Sequence, residues 1–165
     1  MKKYKSLLLM TVFAAAFCPI SARSIETKAK NAALMDYETG TVFYEKNADE
    51  RMAPASMSKL MTAYMIFERL KNGALSLDDE FVVSVNAWRK GGAKTGSSTM
   101  FLNSGSSVKL SDLLRGIIVQ SGNDACITAA ENIAGSEQDF AELANQKARE
   151  LGLTNTHMAN ATAWP

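Results

Sequence analysis

The sequence predicts an α+β protein with a small N-terminal β-hairpin followed by a mostly helical body. Three observations carry this. Two short apolar, β-branched runs, Ala32 to Tyr37 and Thr41 to Tyr44, flank Glu38-Thr39-Gly40, the pattern of a hairpin whose turn uses glycine for a positive φ. Pro54-Ala55 leads into SMSKLMTAYMIFERLKNG, a long apolar-rich helical run closed by glycine. From Ser111 onward, helical spacing recurs with a start or stop residue at each boundary. At 165 residues and 47% apolar content, the chain has the size of one ordinary domain.

Residues 1–24 read as a secretory signal peptide and fall outside the fold. Lys2, Lys3 and Lys5 precede the apolar run Leu7 to Phe17, and Ala22-Arg23-Ser24 places small residues for cleavage after Ser24. That run is shorter than the roughly 20 residues needed to span a bilayer. Bulky Phe17 before Cys18 argues against lipid attachment there. Cleavage removes four basic residues and no acid, leaving 14 basic against 17 acidic residues, a net of −3 with His157 neutral. Such a mildly acidic chain offers no nucleic-acid footprint. It keeps only Cys126, so no internal disulfide forms, and the apolar context DACITAA suits a buried thiol.

Along the chain, Pro54 fits a first helical turn and Gly73 ends that helix behind Lys71. The stretch Leu60 to Phe67 is apolar on nearly every side, which predicts a helix packed all round in the core. Leu77 to Val85 combines an acidic turn, Asp78-Asp79-Glu80, with a β-like run, Phe81-Val82-Val83. The Gly- and Ser/Thr-rich stretch from Arg89 to Ser107 reads as a long loop bordering a site, with a short strand at Met100 to Leu102. Ser111 is the expected cap of a helix through Leu113 to Val119, with Asp112 in its first turn. Asn123 or Asp124 begins the next helix, which runs to about Ala134 and stops at Gly135. Ser136 with Asp139 forms a capping-box-like pair before a last helix, closed by Gly152.

Two polar clusters could carry chemistry. Ser56 and Lys59 stand three residues apart at a helix start, so hydroxyl and amine share a face near free backbone N–H groups. Lysine can activate serine only when its amine is partly neutral, a condition that burial favours. Helix capping by Ser56 or Ser58 is the plainer alternative. Ser121-Gly122-Asn123 holds a hydroxyl and a carboxamide at a junction of two apolar segments. There they could relay a proton and orient a substrate, or simply cap a helix.

With their flanks, these motifs are recognisable. Ala55-Ser56-Met57-Ser58-Lys59-Leu60-Met61-Thr62, Gly116-Ile117-Ile118-Val119-Gln120-Ser121-Gly122-Asn123-Asp124-Ala125 and Gly152-Leu153-Thr154-Asn155-Thr156-His157 closely resemble the low-molecular-mass penicillin-binding proteins that act as D-alanyl-D-alanine carboxypeptidases. The resemblance runs through almost all of residues 25–165. It implies a serine peptidase of the serine β-lactamase and penicillin-binding-protein fold, secreted to the periplasm, which removes the terminal D-alanine from peptidoglycan stem pentapeptides. Carried over, Ser56 would be the nucleophile of an acyl-enzyme and Lys59 its general base. Ser121 would pass the proton to the departing amine, and Asn123 would bind the lysine and the substrate backbone. β-Lactams would be covalent inhibitors, and no metal or organic cofactor is implied.

Lys94-Thr95-Gly96 repeats a triplet that family members carry on a strand after Ser-x-Asn. Here it precedes Ser121 by 27 residues, so Lys94 reads as part of a site-bordering loop. Only 42 residues follow Asn123, which makes the expected fold partial, with the C-terminal sheet strands missing. The expectation is accordingly a fragment or truncation with at most trace activity alone, and peripheral inner-membrane association only with a longer C-terminus. A β-lactamase-like hydrolase is one alternative, disfavoured by Gly122 and by the wrong spacing of Glu142-Leu143-Ala144-Asn145. A non-catalytic remnant binding peptidoglycan or a partner is another. His157 and Trp164 read as packing residues.

Overall fold

The computed structural model describes residues 25–163; the signal peptide read in residues 1–24, and Trp164, lie outside them. The chain divides into two units at Arg51.

The first unit is the predicted hairpin. Strand β1 (Ala32–Met35) pairs antiparallel with β2 (Val42–Lys46), matching Ala32 with Lys46 and Leu34 with Tyr44. Gly40 adopts φ 70° in the turn, a conformation that costs a residue without Cβ little. The Asp36 carboxylate fixes the bend by accepting from the Thr39 backbone N–H at 2.8 Å and from its hydroxyl at 2.6 Å.

The second unit is helical, with one short ribbon. A 3-10 turn (Ala55–Ser58) runs directly into helix α1 (Lys59–Lys71), and Gly73 follows at φ 77°. Strand β3 (Glu80–Val82) pairs antiparallel with β4 (Ser107–Lys109), and helix α2 (Val85–Gly91) lies between them in sequence. Helices α3 (Leu110–Ile118), α4 (Asn123–Ala134) and α5 (Glu137–Glu150) complete it.

Several boundaries follow from local chemistry. The Ser136 hydroxyl accepts from Asp139 N–H at 3.0 Å and donates to the Asp139 carboxylate at 2.6 Å, which realises the capping pair expected before α5. Gly135 and Gly152 take φ 86° and 78° behind α4 and α5. In α2, Ser84 caps by accepting from Ala87 N–H at 2.8 Å.

The structure corrects four expectations. Ser111 does not cap α3: the helix already begins at Leu110, so Ser111 lies inside its first turn, and Lys109 holds the cap position without a side-chain bond. Met100 to Leu102 is not a strand, since its amides turn to a buried carboxylate rather than to a neighbouring strand. The Arg89 to Ser107 stretch is not all loop: α2 enters it, a 3-10 turn spans Ala93–Thr95, and β4 closes it. Helix α1 is not packed all round. It buries Thr62, Ala63, Met65 and Ile66, whereas Leu60 remains 75% exposed and Tyr64 and Phe67 are also exposed.

The central helix is α4. Its first eight residues, Asn123 through Ala130, are all buried, and it packs against α1, α2, α3, α5 and β3. Small side chains at Ala125, Cys126, Ala129 and Ala130 let neighbours approach on several sides, where the bulkier α1 offers one close-packed face. The approach is tightest at Gly91, where a Cβ would fall into the backbone of Asp124. Phe140, Ile66, Leu110, Leu113 and Val83 fill the surrounding core.

Candidate active site

Ser56 sits in the 3-10 turn ahead of α1, directly after Ala55, whose φ is 49°. Neither Ser56 nor Ser58 caps the helix with its side chain, so capping does not account for the pair. Ser56 is exposed, while Lys59, one turn on, is only 5% exposed. The Lys59 amine lies 3.4 Å from the Ser56 hydroxyl.

The second cluster meets the first through Lys59. Its Nζ donates to the Ser121 carbonyl at 2.7 Å and to the Ser121 hydroxyl at 2.9 Å, across 62 residues of sequence. Ser121 reaches this position by adopting φ 55° between α3 and α4. That left-handed conformation costs a non-glycine residue about 1–2 kcal/mol and persists only where surrounding contacts hold it.

Around the turn, Gly122 N–H donates to the Gly116 carbonyl at 2.9 Å and Asn123 N–H to the Ser98 carbonyl at 2.8 Å. The expected bond between Asn123 and Lys59 is not formed. Because Ser121 turns its own carbonyl and hydroxyl toward the lysine, these take the available N–H groups, and the buried Asn123 Oδ1 has no hydrogen-bond partner.

Electrostatics fit this geometry. Burial lowers the Lys59 pKa from the ordinary lysine value, with the nearby Cys126 sulfur pulling weakly the other way. A neutral amine has two N–H groups and one lone pair. In the neutral form the two short contacts to Ser121 would use both N–H groups and leave the lone pair for the Ser56 hydroxyl, whereas the ammonium form donates its third N–H to Ser56 Oγ at 3.4 Å. The neutral form can therefore accept the Ser56 proton while that oxygen attacks a carbonyl. Cys126 itself is buried, and burial pushes its thiol up to about 12, so it stays protonated and inert as the apolar context predicted.

The sequence offers Asp124 only as a possible start of α4. Its carboxylate is fully buried and accepts from the Thr99 hydroxyl at 2.7 Å, Met100 N–H at 2.8 Å, Leu102 N–H at 3.0 Å and Ala125 N–H at 2.9 Å. An acid at a helix start reads locally as a partner of the helix dipole, and nothing local marks the distant loop it grips. Lys94 lies on the neighbouring 3-10 turn, with its ammonium 5.6 Å from the Trp88 ring centroid. The loop that follows it reaches the Ser121–Asn123 turn through Ser98. His157 is exposed and borders a surface depression with Lys90, Glu137 and Asn145. Among the described residues, no helix is long and apolar enough to cross a membrane, and no cluster of three or more His, Cys, Asp or Glu side chains could hold a metal ion.

Comparison with known proteins places this geometry in context. The family profile described as D-alanyl-D-alanine carboxypeptidase matches residues 18–163. The chain is 46% identical over 138 residues to D-alanyl-D-alanine carboxypeptidase DacC of Escherichia coli (strain K12), covering 83% of this chain and 34% of that protein. It is 39% identical over 170 residues to DacF of Bacillus subtilis (strain 168), covering 98% of this chain and 42% of that protein. Among solved structures, the carboxypeptidase DacD from Francisella tularensis superposes with a TM-score of 0.78 at 44% identity, covering 86% of this chain and 33% of that one. Penicillin binding protein 5 from Haemophilus influenzae gives 0.81 at 35%, covering 87% and 41%. The chain thus spans between a third and a half of the length of these relatives.

Proposed function

We propose, since the chain belongs to the D-alanyl-D-alanine carboxypeptidase family, that it carries the nucleophile side of a serine acyl-transfer site acting on peptidoglycan stem peptides that end in D-Ala-D-Ala. The observation that carries this reading is the buried Lys59 amine held between Ser56 and Ser121.

Ser56 attacks the carbonyl of the D-Ala-D-Ala bond while Lys59 accepts its proton. The proton then passes through the Ser121 hydroxyl to the departing amine. D-alanine leaves, and water releases the acyl group from Ser56. Lowering of the lysine pKa by burial supports the base role, and the 3.4 Å separation is one that substrate binding can tighten. Asn123 stands beside this path with an unsatisfied carboxamide oxygen, which supports a substrate-binding role. β-Lactams, which present a reactive carbonyl to the same serine, would be covalent inhibitors. The protein would work in the periplasm after removal of residues 1–24, and the intact mass of the exported product tests that cleavage.

Labelling with fluorescent penicillin followed by peptide mapping tests the assignment. Label on Ser56, absent from Ser56→Ala, supports it, and label on another residue refutes it. D-alanine release from a pentapeptide ending in D-Ala-D-Ala then distinguishes an acylating chain from one that also turns over.

A further inference from the structure

The Ser121–Asn123 turn is the least self-sufficient part of the site. Ser121 holds a left-handed φ of 55°, so the turn depends on restraint from outside itself. One restraint is Gly116, whose carbonyl accepts from Gly122 N–H. Another is the Ser98 carbonyl, which accepts from Asn123 N–H at 2.8 Å. Ser98 belongs to no helix or strand, so its own position must be fixed by something else.

Asp124 is that something. Both carboxylate oxygens are used: Oδ1 accepts from Met100 N–H and Ala125 N–H, and Oδ2 accepts from the Thr99 hydroxyl and Leu102 N–H. Three of the four loop positions 99–102, all but Phe101, are thereby fastened to the first turn of α4. Phe101, between two clamped amides, is forced to φ 62° and stands exposed, while its own N–H turns back to the Thr99 hydroxyl at 3.1 Å. A bulky side chain in that conformation marks a segment whose path is imposed by its anchor.

We propose that Asp124 is a positioning residue for acyl transfer at Ser56. By clamping residues 99–102 it sets the Ser98 carbonyl against Asn123 N–H, and so holds Ser121 in the conformation that presents its carbonyl and hydroxyl to Lys59. This rests on the reading of Ser56 and Lys59 given above. The carboxylate is irreplaceable by an amide for a geometric reason. Three of its four donors are backbone N–H groups spread over both oxygens, so an NH2 placed at either position faces at least one of them donor to donor.

The test is Asp124→Asn in the full chain, measured in two ways. Hydrogen exchange at Asn123 N–H should quicken by at least about 10-fold, while the interior of α5 is unchanged. The first-order acylation constant of Ser56 by fluorescent penicillin should fall about 10-fold to 100-fold, as a small misplacement of the catalytic groups would produce. If the variant does not fold, Thr99→Val, which keeps the carboxylate and removes one donor, should show both effects in weaker form. Unchanged exchange at Asn123 overturns the proposal. So does an unchanged acylation constant accompanied only by a smaller labelled fraction or a lower melting temperature, because that is what a purely structural anchor gives. A parent chain that takes no penicillin refutes the reading of Ser56 and with it the link from Asp124 to acyl transfer, whereas unchanged exchange at Asn123 in a parent that is acylated refutes the hold of Asp124 on the turn alone.

Discussion

Lys59 and Ser121 form a two-point contact, with the amine 2.7 Å from the carbonyl and 2.9 Å from the hydroxyl of the same residue. In the neutral form of the amine, that double contact would occupy both N–H groups and leave the lone pair for Ser56. It ties α1 to the turn before α4, and each prediction about acylation depends on it.

Replacing the base should separate chemistry from folding. Lys59→Ala should slow penicillin acylation of Ser56 by about 100-fold to 10,000-fold, the usual range for loss of a positioned general base. Circular dichroism should still report the helical content of the parent. Acylation at the parental rate would remove Lys59 from the mechanism.

The pH dependence should report the same group. Lys59 acts as a base only when neutral, and burial places its pKa below the usual lysine value of about 10.4. The acylation rate should therefore rise with pH along an acid limb set by that lowered pKa. Cys126 adds no second limb at neutral pH, since burial pushes its thiol up to about 12. Lys59→Arg should lose the limb together with most of the rate, because a guanidinium cannot deprotonate in this range.

At Gly91 the prediction concerns packing. A Cβ there meets the backbone of Asp124, which cannot yield as a flexible side chain would. Gly91→Ala should lower stability by about 1–3 kcal/mol, the usual cost of overpacking, read as a reduced urea midpoint with an unchanged slope. A parental midpoint would mean that α2 and α4 separate freely.

A fourth prediction concerns Asn145, whose carboxamide accepts from Met158 N–H at 2.7 Å and donates to the Met158 carbonyl at 2.8 Å. Asn145→Ala leaves two backbone groups of the C-terminal segment unpaired, at a cost of about 1–3 kcal/mol for each buried group. Limited proteolysis should cut after Leu151 faster than in the parent, with the interior of α5 still protected. An unaltered digestion pattern would show that the pairing is not what holds the segment.

The sequence by itself determined what depends on neighbours a few residues apart. Ser56 and Lys59 had to share a face because they are three apart at a helix start. Gly73, Gly135 and Gly152 had to end helices because each can take a positive φ cheaply, and Ser136 with Asp139 forms its cap within one turn. The family's motifs added the pairing of that site with Ser121, which no local rule supplies. Tertiary structure decided the rest. Apolar composition marked α1 as central, yet α4 is the helix packed on several sides, because small residues admit close neighbours. The C-terminal end of helix α2 was hidden in a glycine-rich stretch whose composition reads as loop; the helix is held by contact with α4, which begins only at Asn123. The role of Asp124 was equally invisible, since its four donors include three from residues 99–102. A buried carboxylate is stable only with such partners, and which segment supplies them is settled when the chain closes on itself.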